Sequence, residues 1–269
     1  MVAELRSARA DCSSACVYAL VGATQREIPP GVYLGIHASE PLRRTADGKL
    51  EPLPMQSSRQ KEISAHFTAE LREYVRRVGG NVSLVDAAAN VPNLEMRPLT
   101  REEIYLYGID RRERSETGWV IYQNGRFVKM ILDKRYGGDG EFRTNAIELQ
   151  CGVKDKAMMV FYAGLANSEK SRPDLFRRQA RITMRAAEAE IVLPNYGSVS
   201  PIPAFDPATD FDTRTALVPF EFYENAVRAG SLDVIESHET PSAAGKVRTQ
   251  KFSAEGLRRV IDELKRSCG

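Results

Sequence analysis

Two neighbouring stretches carry the reading of the fold: Asp11-Cys12-Ser13-Ser14-Ala15-Cys16-Val17-Tyr18-Ala19-Leu20-Val21-Gly22, then Pro29-Pro30-Gly31-Val32-Tyr33-Leu34-Gly35-Ile36-His37. Residues 14–23 are small and apolar, which predicts a short helix opening at the serines. Pro29-Pro30-Gly31 predicts a turn. Val32, Leu34 and Ile36 alternate with their neighbours, which predicts a strand ending at His37. A serine in the first turn of a helix sits among free N–H groups, whose positive potential favours a developing alkoxide. A histidine closing a neighbouring strand is placed to act as its base. The plainer readings are that the serine is a helix N-cap and the histidine is structural.

Downstream, residues 40–56 hold three prolines and several charges and are expected to form a surface loop. A helix is predicted over 59–78, because Ile63, Phe67, Leu71, Tyr74, Val75 and Val78 recur at spacings of three and four. Ser57 or Ser58 can cap it, and Gly79-Gly80 stops it. Val82–Ala89 predicts another helix. Thr100-Arg101-Glu102-Glu103 has the form of a capping box opening a helix that ends at Gly108. Beyond residue 116 strands dominate. Val120–Leu132 predicts a hairpin around Asn124-Gly125. Ile147, Leu149, Cys151 and Val153 alternate, so Cys151 is expected to face a core. Ala157–Ala163, Gln179–Leu193 and Leu217–Tyr223 are expected as strands, and residues 194–214 as a loop rich in Pro and Asp. The last helix, Ala254–Arg266, sets Leu257, Val260, Ile261, Leu264 and Cys268 on one face.

Composition bounds the function. The chain has 269 residues, 42% hydrophobic and 28% charged, with a net charge of +2. That length buries a core in one large or two moderate domains. Up to residue 116 there are 16 basic and 16 acidic residues, and beyond it 22 and 20. Neither part is strongly basic, which argues against a nucleic-acid partner held by phosphate contacts. The longest apolar run near the start, Ala15–Ala23, is about half of the ~20 residues a spanning helix needs, so no membrane span is expected. Glu4 and Asp11 stand where a secretory leader carries basic residues, so no signal peptide is read in the chain.

Cys12-Ser13-Ser14-Ala15-Cys16 followed by Pro29–His37 resembles the active-site region of the ClpP/crotonase superfamily. The nearest likeness is to ClpP-like bacterial proteins expected outside the cytoplasm, which carry a C-x-S-A-C motif and a later G-x-H. Leu99–Glu103 and Tyr107-Gly108-Ile109-Asp110 extend the likeness, which spans about residues 10–116. The resemblance implies a serine hydrolase, most plausibly a peptidase, with Ser14 as nucleophile and His37 as base. The family acid lies before the helix at Arg101, which points to Glu95 first and Asn93 second. Ala15 N–H would hold the oxyanion. A Gly-Gly loop that supplies a second oxyanion donor in the family has no counterpart ahead of Ser14, so a start upstream of Met1 is expected. The resemblance also implies a periplasmic or extracytoplasmic location, a peptide or protein substrate, assembly with copies of itself, and no metal or organic cofactor. A non-catalytic binding or assembly module stands as the alternative, and crotonase-type acyl-CoA chemistry as a third.

Four cysteines lack zinc-site spacing. Cys151 and Cys268 are expected to bridge the last helix to the sheet, the alternative being two buried thiols. Cys12 and Cys16 can bridge only if Cys12 precedes the helix, and would then brace the serine turn; otherwise both simply pack. Asp206, Asp210 and Asp212 lack a calcium-loop pattern and read as a solvated acidic loop. Tyr136–Gly140 reads as a turn, His66 and His238 have no ligand-spaced partners, Trp119 reads as packing, and Arg76-Arg77 and Arg177-Arg178 read as solvated faces.

The expected architecture is therefore an α/β ClpP/crotonase-like domain, incomplete at its N-terminal side, over 1–116. A β-rich domain closed by a C-terminal helix follows over 117–269.

Overall fold

The computed structural model describes residues 2–4, 10–39, 42–52, 58–92, 95–122, 125–134, 141–165, 180–194, 199–202, 206–238 and 247–268. They fall into two compact units, 1–112 and 113–269.

The first unit opens with β1 (Val2–Glu4), β2 (Asp11–Ser13), α1 (Ala15–Val21), β3 (Gln25–Glu27) and β4 (Tyr33–Ile36). β1 pairs with β3 and β2 with β4, both in parallel. Parallel neighbours need a crossover, and α1 supplies it. Next come β5 (Leu42–Arg44) and β6 (Leu50–Pro52), a small antiparallel pair. Part of the stretch read as loop is therefore hairpin. Three helices follow: α2 (Ser58–Arg77), α3 (Ser83–Ala89) and, after the two-residue β7 (Arg97–Pro98), α4 (Arg101–Leu106). β7 returns antiparallel to β4.

Local chemistry explains these elements. The capping box forms as its spacing demands: Thr100 Oγ1 accepts the Glu103 N–H at 3.2 Å, and Glu103 Oε2 accepts the Thr100 N–H at 3.0 Å. Val75 is fully buried, with Leu71, Tyr74 and Val78 packed beside it. Ile63 and Phe67, on the same helical face one and two turns earlier, remain exposed, so only the C-terminal half of α2 is seated on the core. Asp110 clamps the unit. Its carboxylate accepts the Ile28 N–H at 2.9 Å and the Arg112 N–H at 2.9 Å, and meets Arg101 at 3.2 Å.

The second unit holds β8 (Arg114–Glu116), β9 (Val120–Tyr122), β10 (Arg126–Asp133), β11 (Arg143–Cys151), β12 (Lys156–Gly164), β13 (Ala180–Ala186), β14 (Ala189–Leu193), β15 (Val199–Ile202) and β16 (Asp206–Pro219). Helix α5 (Phe220–Ala229), β17 (Ser231–His238), β18 (Val247–Ser253) and helix α6 (Leu257–Ser267) complete it. One antiparallel sheet runs β15-β16-β12-β11-β10-β8, with β9 also on β10; the other runs β14-β13-β17-β18. Phe161, Leu149, Ile182, Val234, Phe252, Tyr223 and Ile261 meet in one core that joins both sheets to α5 and α6. β9 and β10 form the hairpin expected at Gly125, which adopts φ 69°; Asn124 lies outside the described residues.

The expected α/β ClpP/crotonase-like class is not what these residues form. Strand is the dominant state, the helices are few, and three of the sheets are antiparallel. An α/β fold repeats the strand–helix–parallel-strand crossover until helices cover both faces of a parallel sheet. Here α2 and α3 lead only into the short antiparallel β7, and α4 follows it. Strand β8, placed with the first domain by the sequence reading, pairs with β10 in the second unit. Residues 206–219, expected mostly as loop, form the longest strand. Leu217–Tyr223, expected as a strand, changes to helix at Phe220, and the described residues of the stretch expected as a strand over Gln179–Leu193, 180–193, are two strands turning at Ala187, φ 52°.

Candidate active site

The site is built on the β2–α1 turn. β2 and β4 run in register with Cys12 opposite Leu34 and Ser13 opposite Gly35. The pair continues one step further: the Ser14 N–H donates to Gly35 O at 2.9 Å. The chain then turns at once into α1, and Val17 N–H returns to Ser14 O at 3.0 Å. Ser14 takes φ 58° and ψ −122° to make this turn. Side chains rarely adopt that backbone, at a cost of ~1–3 kcal/mol. The Ser14 side chain makes no capping hydrogen bond to α1, so the plain N-cap reading does not describe it.

Cys12 and Cys16 are joined in a disulfide with Cα atoms 5.3 Å apart. Cys12 sits on the strand and Cys16 in the first turn of the helix, as the bridged alternative required. The bridge therefore spans Ser14. Cys12 is buried at 1% exposure, whereas Cys16 is exposed. Ser13 Oγ donates to Asp11 Oδ1 at 2.6 Å, which ties the other serine back along β2. Tyr18, on α1, is pushed up to about 12 by burial, so it remains a neutral phenol at ordinary pH.

His37 follows the last residue of β4 directly. Ser14 and His37 thus leave the carboxyl ends of two adjacent parallel strands, the edge where open parallel sheets place their chemistry. The Ala38 N–H donates to Val91 O at 3.0 Å and holds the segment after His37 against the end of α3. Glu95 is exposed and stands two residues ahead of Arg97, which pairs with Ile36. His37 and Glu95 therefore leave the same β4–β7 pairing. Asn93 lies outside the described residues. Ala15 is the first residue of α1, next to the strained serine.

Gly35 is fitted to this corner. A Cβ there would come within 2.6 Å of Met96 Cγ and 2.8 Å of Tyr33 Cε1. The residue that accepts the Ser14 N–H has no room for a side chain unless Met96 and Tyr33 move.

The remaining candidates separate cleanly. Cys151 and Cys268 form the second disulfide. Cys151 itself is exposed at the rim of β11 rather than facing the core. Two disulfides suit an oxidising environment. Asp212, expected in a solvated loop, is fully buried on β16, where Oδ2 accepts Arg214 Nε at 3.0 Å. Asp206 and Asp210 lie on the same strand, and no cluster of three His, Cys, Asp or Glu suited to a metal occurs among the described residues. His66 meets Glu70 at 3.3 Å on an exposed face of α2. Tyr136–Gly140 and Arg177-Arg178 lie outside the described residues, as does the side chain of His238. No described helix is long and apolar enough to cross a membrane. The strain at Ser14 gave no sign in the sequence, because composition and spacing carry no information about a single positive φ.

Compared with protein-family models, with curated proteins and with solved structures, the chain finds no match in any of the three.

Proposed function

We propose that the first unit is a serine hydrolase acting on an ester or amide of the peptide type, with Ser14 as nucleophile. The observation that carries this reading is the Ser14 backbone, held at φ 58°, ψ −122° on a strand-to-helix turn with its hydroxyl unspent on capping. A sharp turn of this kind exposes a serine hydroxyl at the end of a sheet and puts the next backbone N–H beside it. In this reading Ser14 Oγ attacks the carbonyl carbon while His37 takes its proton. Ala15 N–H donates to the developing oxyanion. Collapse breaks the bond to the leaving group, which receives the proton from His37. Water activated by the same histidine then cleaves the acyl-serine, returning Ser14 to its hydroxyl form. Glu95 is the positioning residue assigned to His37, since both leave the β4–β7 pair. The two disulfides favour an extracytoplasmic setting. The likeness of the Cys12–Cys16 and Gly35–His37 motifs to ClpP-type hydrolases supports the roles of the pair and does not extend to the fold.

A fluorophosphonate probe tests the assignment. Expected is one adduct per chain, located on Ser14 by peptide mass spectrometry, and lost in Ser14→Ala and His37→Ala. Absence of any adduct on the folded, oxidised chain, or an adduct that survives Ser14→Ala, overturns it.

A further inference from the structure

The second unit contains a cavity of about 400 Å³ between the β8–β9 segment and the start of α6. That volume lies within the range of small-molecule sites. Its apolar lining is Trp119, Ile121, Phe127 and Val260, and its charged lining includes Lys129, Glu116 and Arg259. Neither the hydrolase reading nor the first unit accounts for it.

The polar groups of this cavity are unevenly spent. Lys129, on β10, is 2% exposed. Its Nζ meets Glu116 Oε1 at 3.2 Å. An ammonium has three hydrogens to give, so this contact leaves two for an occupant. Glu116 is the more heavily engaged partner. Its Oε1 also accepts the Ser253 N–H at 2.8 Å, and its Oε2 faces Arg114 at 3.4 Å. One carboxylate is thus shared by two cations and a backbone amide. Trp119 adds a further donor: its Nε1 is buried without a hydrogen-bond partner among the described residues. A buried N–H left unmade costs ~1–3 kcal/mol. Its indole lies close against Gly256, where a Cβ would stand 3.3 Å from Trp119 Cδ1. Gly256, at φ 76°, caps α6, whose first turn carries no acidic side chain.

The charged lining balances: buried Lys129 and exposed Arg259 stand against Glu116 and exposed Glu255. The buried donors of the lining are the Lys129 ammonium and Trp119 Nε1, and the walls are aromatic and aliphatic. We infer that this cavity binds a small carboxylate carried on an apolar, preferably aromatic, body. The carboxylate bonds Lys129 and Trp119 Nε1, and the body lies against Phe127, Ile121 and Val260. Such a group comes either from a free organic acid or from the C-terminal residue of a peptide, and the recognition chemistry is the same for both.

Trp119 is the single tryptophan of the chain, so its fluorescence reads the cavity directly. The oxidised full chain is titrated with 3-phenylpropionate and with 3-phenylpropan-1-ol. Expected is a saturable change with the acid and at least about tenfold weaker binding of the alcohol, since a charge-assisted bond is lost. Lys129→Met is expected to weaken the acid at least about tenfold and to leave the alcohol unchanged. Should that variant not fold, the acid–alcohol comparison on the unaltered chain decides the matter. N-acetylphenylalanine binding as tightly as 3-phenylpropionate assigns a peptide end, and preference for 3-phenylpropionate assigns a free acid. No saturable change with either acid, or equal affinity for acid and alcohol, overturns the site. Serine labelling is not part of the readout, so failure here leaves the hydrolase reading standing, and the reverse holds.

Discussion

The backbone N–H of Ser14 is bonded to the carbonyl of Gly35 at 2.9 Å, so the candidate nucleophile is hung from the strand that delivers the candidate base. The same pairing fixes the height of Ser14 and, two residues on, the departure of His37 from β4. A shift of one strand against the other would move both side chains. The geometry of the pair is therefore a property of the β2–β4 register rather than of either loop.

Strain at Ser14 predicts a trade of stability against function. Glycine accepts a positive φ without side-chain conflict. Ser14→Gly is expected to exceed Ser14→Ala in unfolding free energy by about 1 kcal/mol, with both inert to the fluorophosphonate. Chemical denaturation followed by far-ultraviolet circular dichroism measures it, because the single tryptophan reports only the other unit. Equal stability of the two variants would mean that the turn is relaxed.

The Cys12–Cys16 bridge encloses the serine turn, and Cys16 is exposed to solvent and so to reductant. Replacing both cysteines by serine is expected to lower stability by about 2 kcal/mol, the loop-closure effect for so short a ring. The labelling rate is expected to fall by about 10²-fold, because small misplacement of a reacting group is costly. A mild thiol reductant should reproduce the loss of labelling and reoxidation should restore it. Labelling indifferent to reduction would separate the bridge from the site.

Asp110 supplies the pH dependence of the first unit. Burial pushes its carboxyl up, but the bonds from Arg112, the nearby Arg101 charge and the amides of Arg112 and Ile28 outweigh this and hold it below its ordinary value. A depressed carboxyl stabilises the fold above its unfolded value of about 3.9, and that stability is lost as the pH falls through the lower folded value. Asp110→Asn removes the carboxylate that Arg101, 7% exposed at its side chain, meets at 3.2 Å, and is expected to cost about 3–5 kcal/mol at pH 7. The gap between wild type and Asp110→Asn should narrow as the pH drops below about 3.9. A gap that stays constant into acid would show that the carboxylate charge does not matter there.

Much of this architecture could be read from residues whose signals are local. Thr100 and Glu103 state a capping box within four positions, Gly125 states a hairpin, and Val75 with Leu71 and Val78 states a helical face. Cys151 and Cys268 paired as expected, and Cys12 and Cys16 took the bridged one of their two open alternatives. What could not be read depends on distant partners. Pro207, Asp206, Asp210 and Asp212 have the composition of a loop, yet β16 pairs with β12 from Pro219 opposite Lys156 to Phe211 opposite Gly164, and with β15 from Asp212 back to Asp206. Asp212 is tolerated inside because Arg214 stands two residues along the strand. Phe220, Tyr223 and Val227 follow a helical spacing that a window ending at Tyr223 misses, and Pro219 marks the change. At the candidate site the identities of Ser14 and His37 were legible, whereas the Ser14 conformation was not. The cavity was hidden altogether, because it forms only when Trp119 and Lys129 meet the start of α6.

The bond between Cys151 and Cys268, 117 positions apart in the chain, makes the end of the molecule a hoop. Every element from β12 to α6 hangs on that hoop. A protease that makes a single cut within it opens the hoop but frees no piece, so the cut chain stays covalently whole until a reductant parts the two sulfurs. In a protease-rich, oxidising setting the first break is therefore silent, and only a second within the same hoop sets a piece of chain loose.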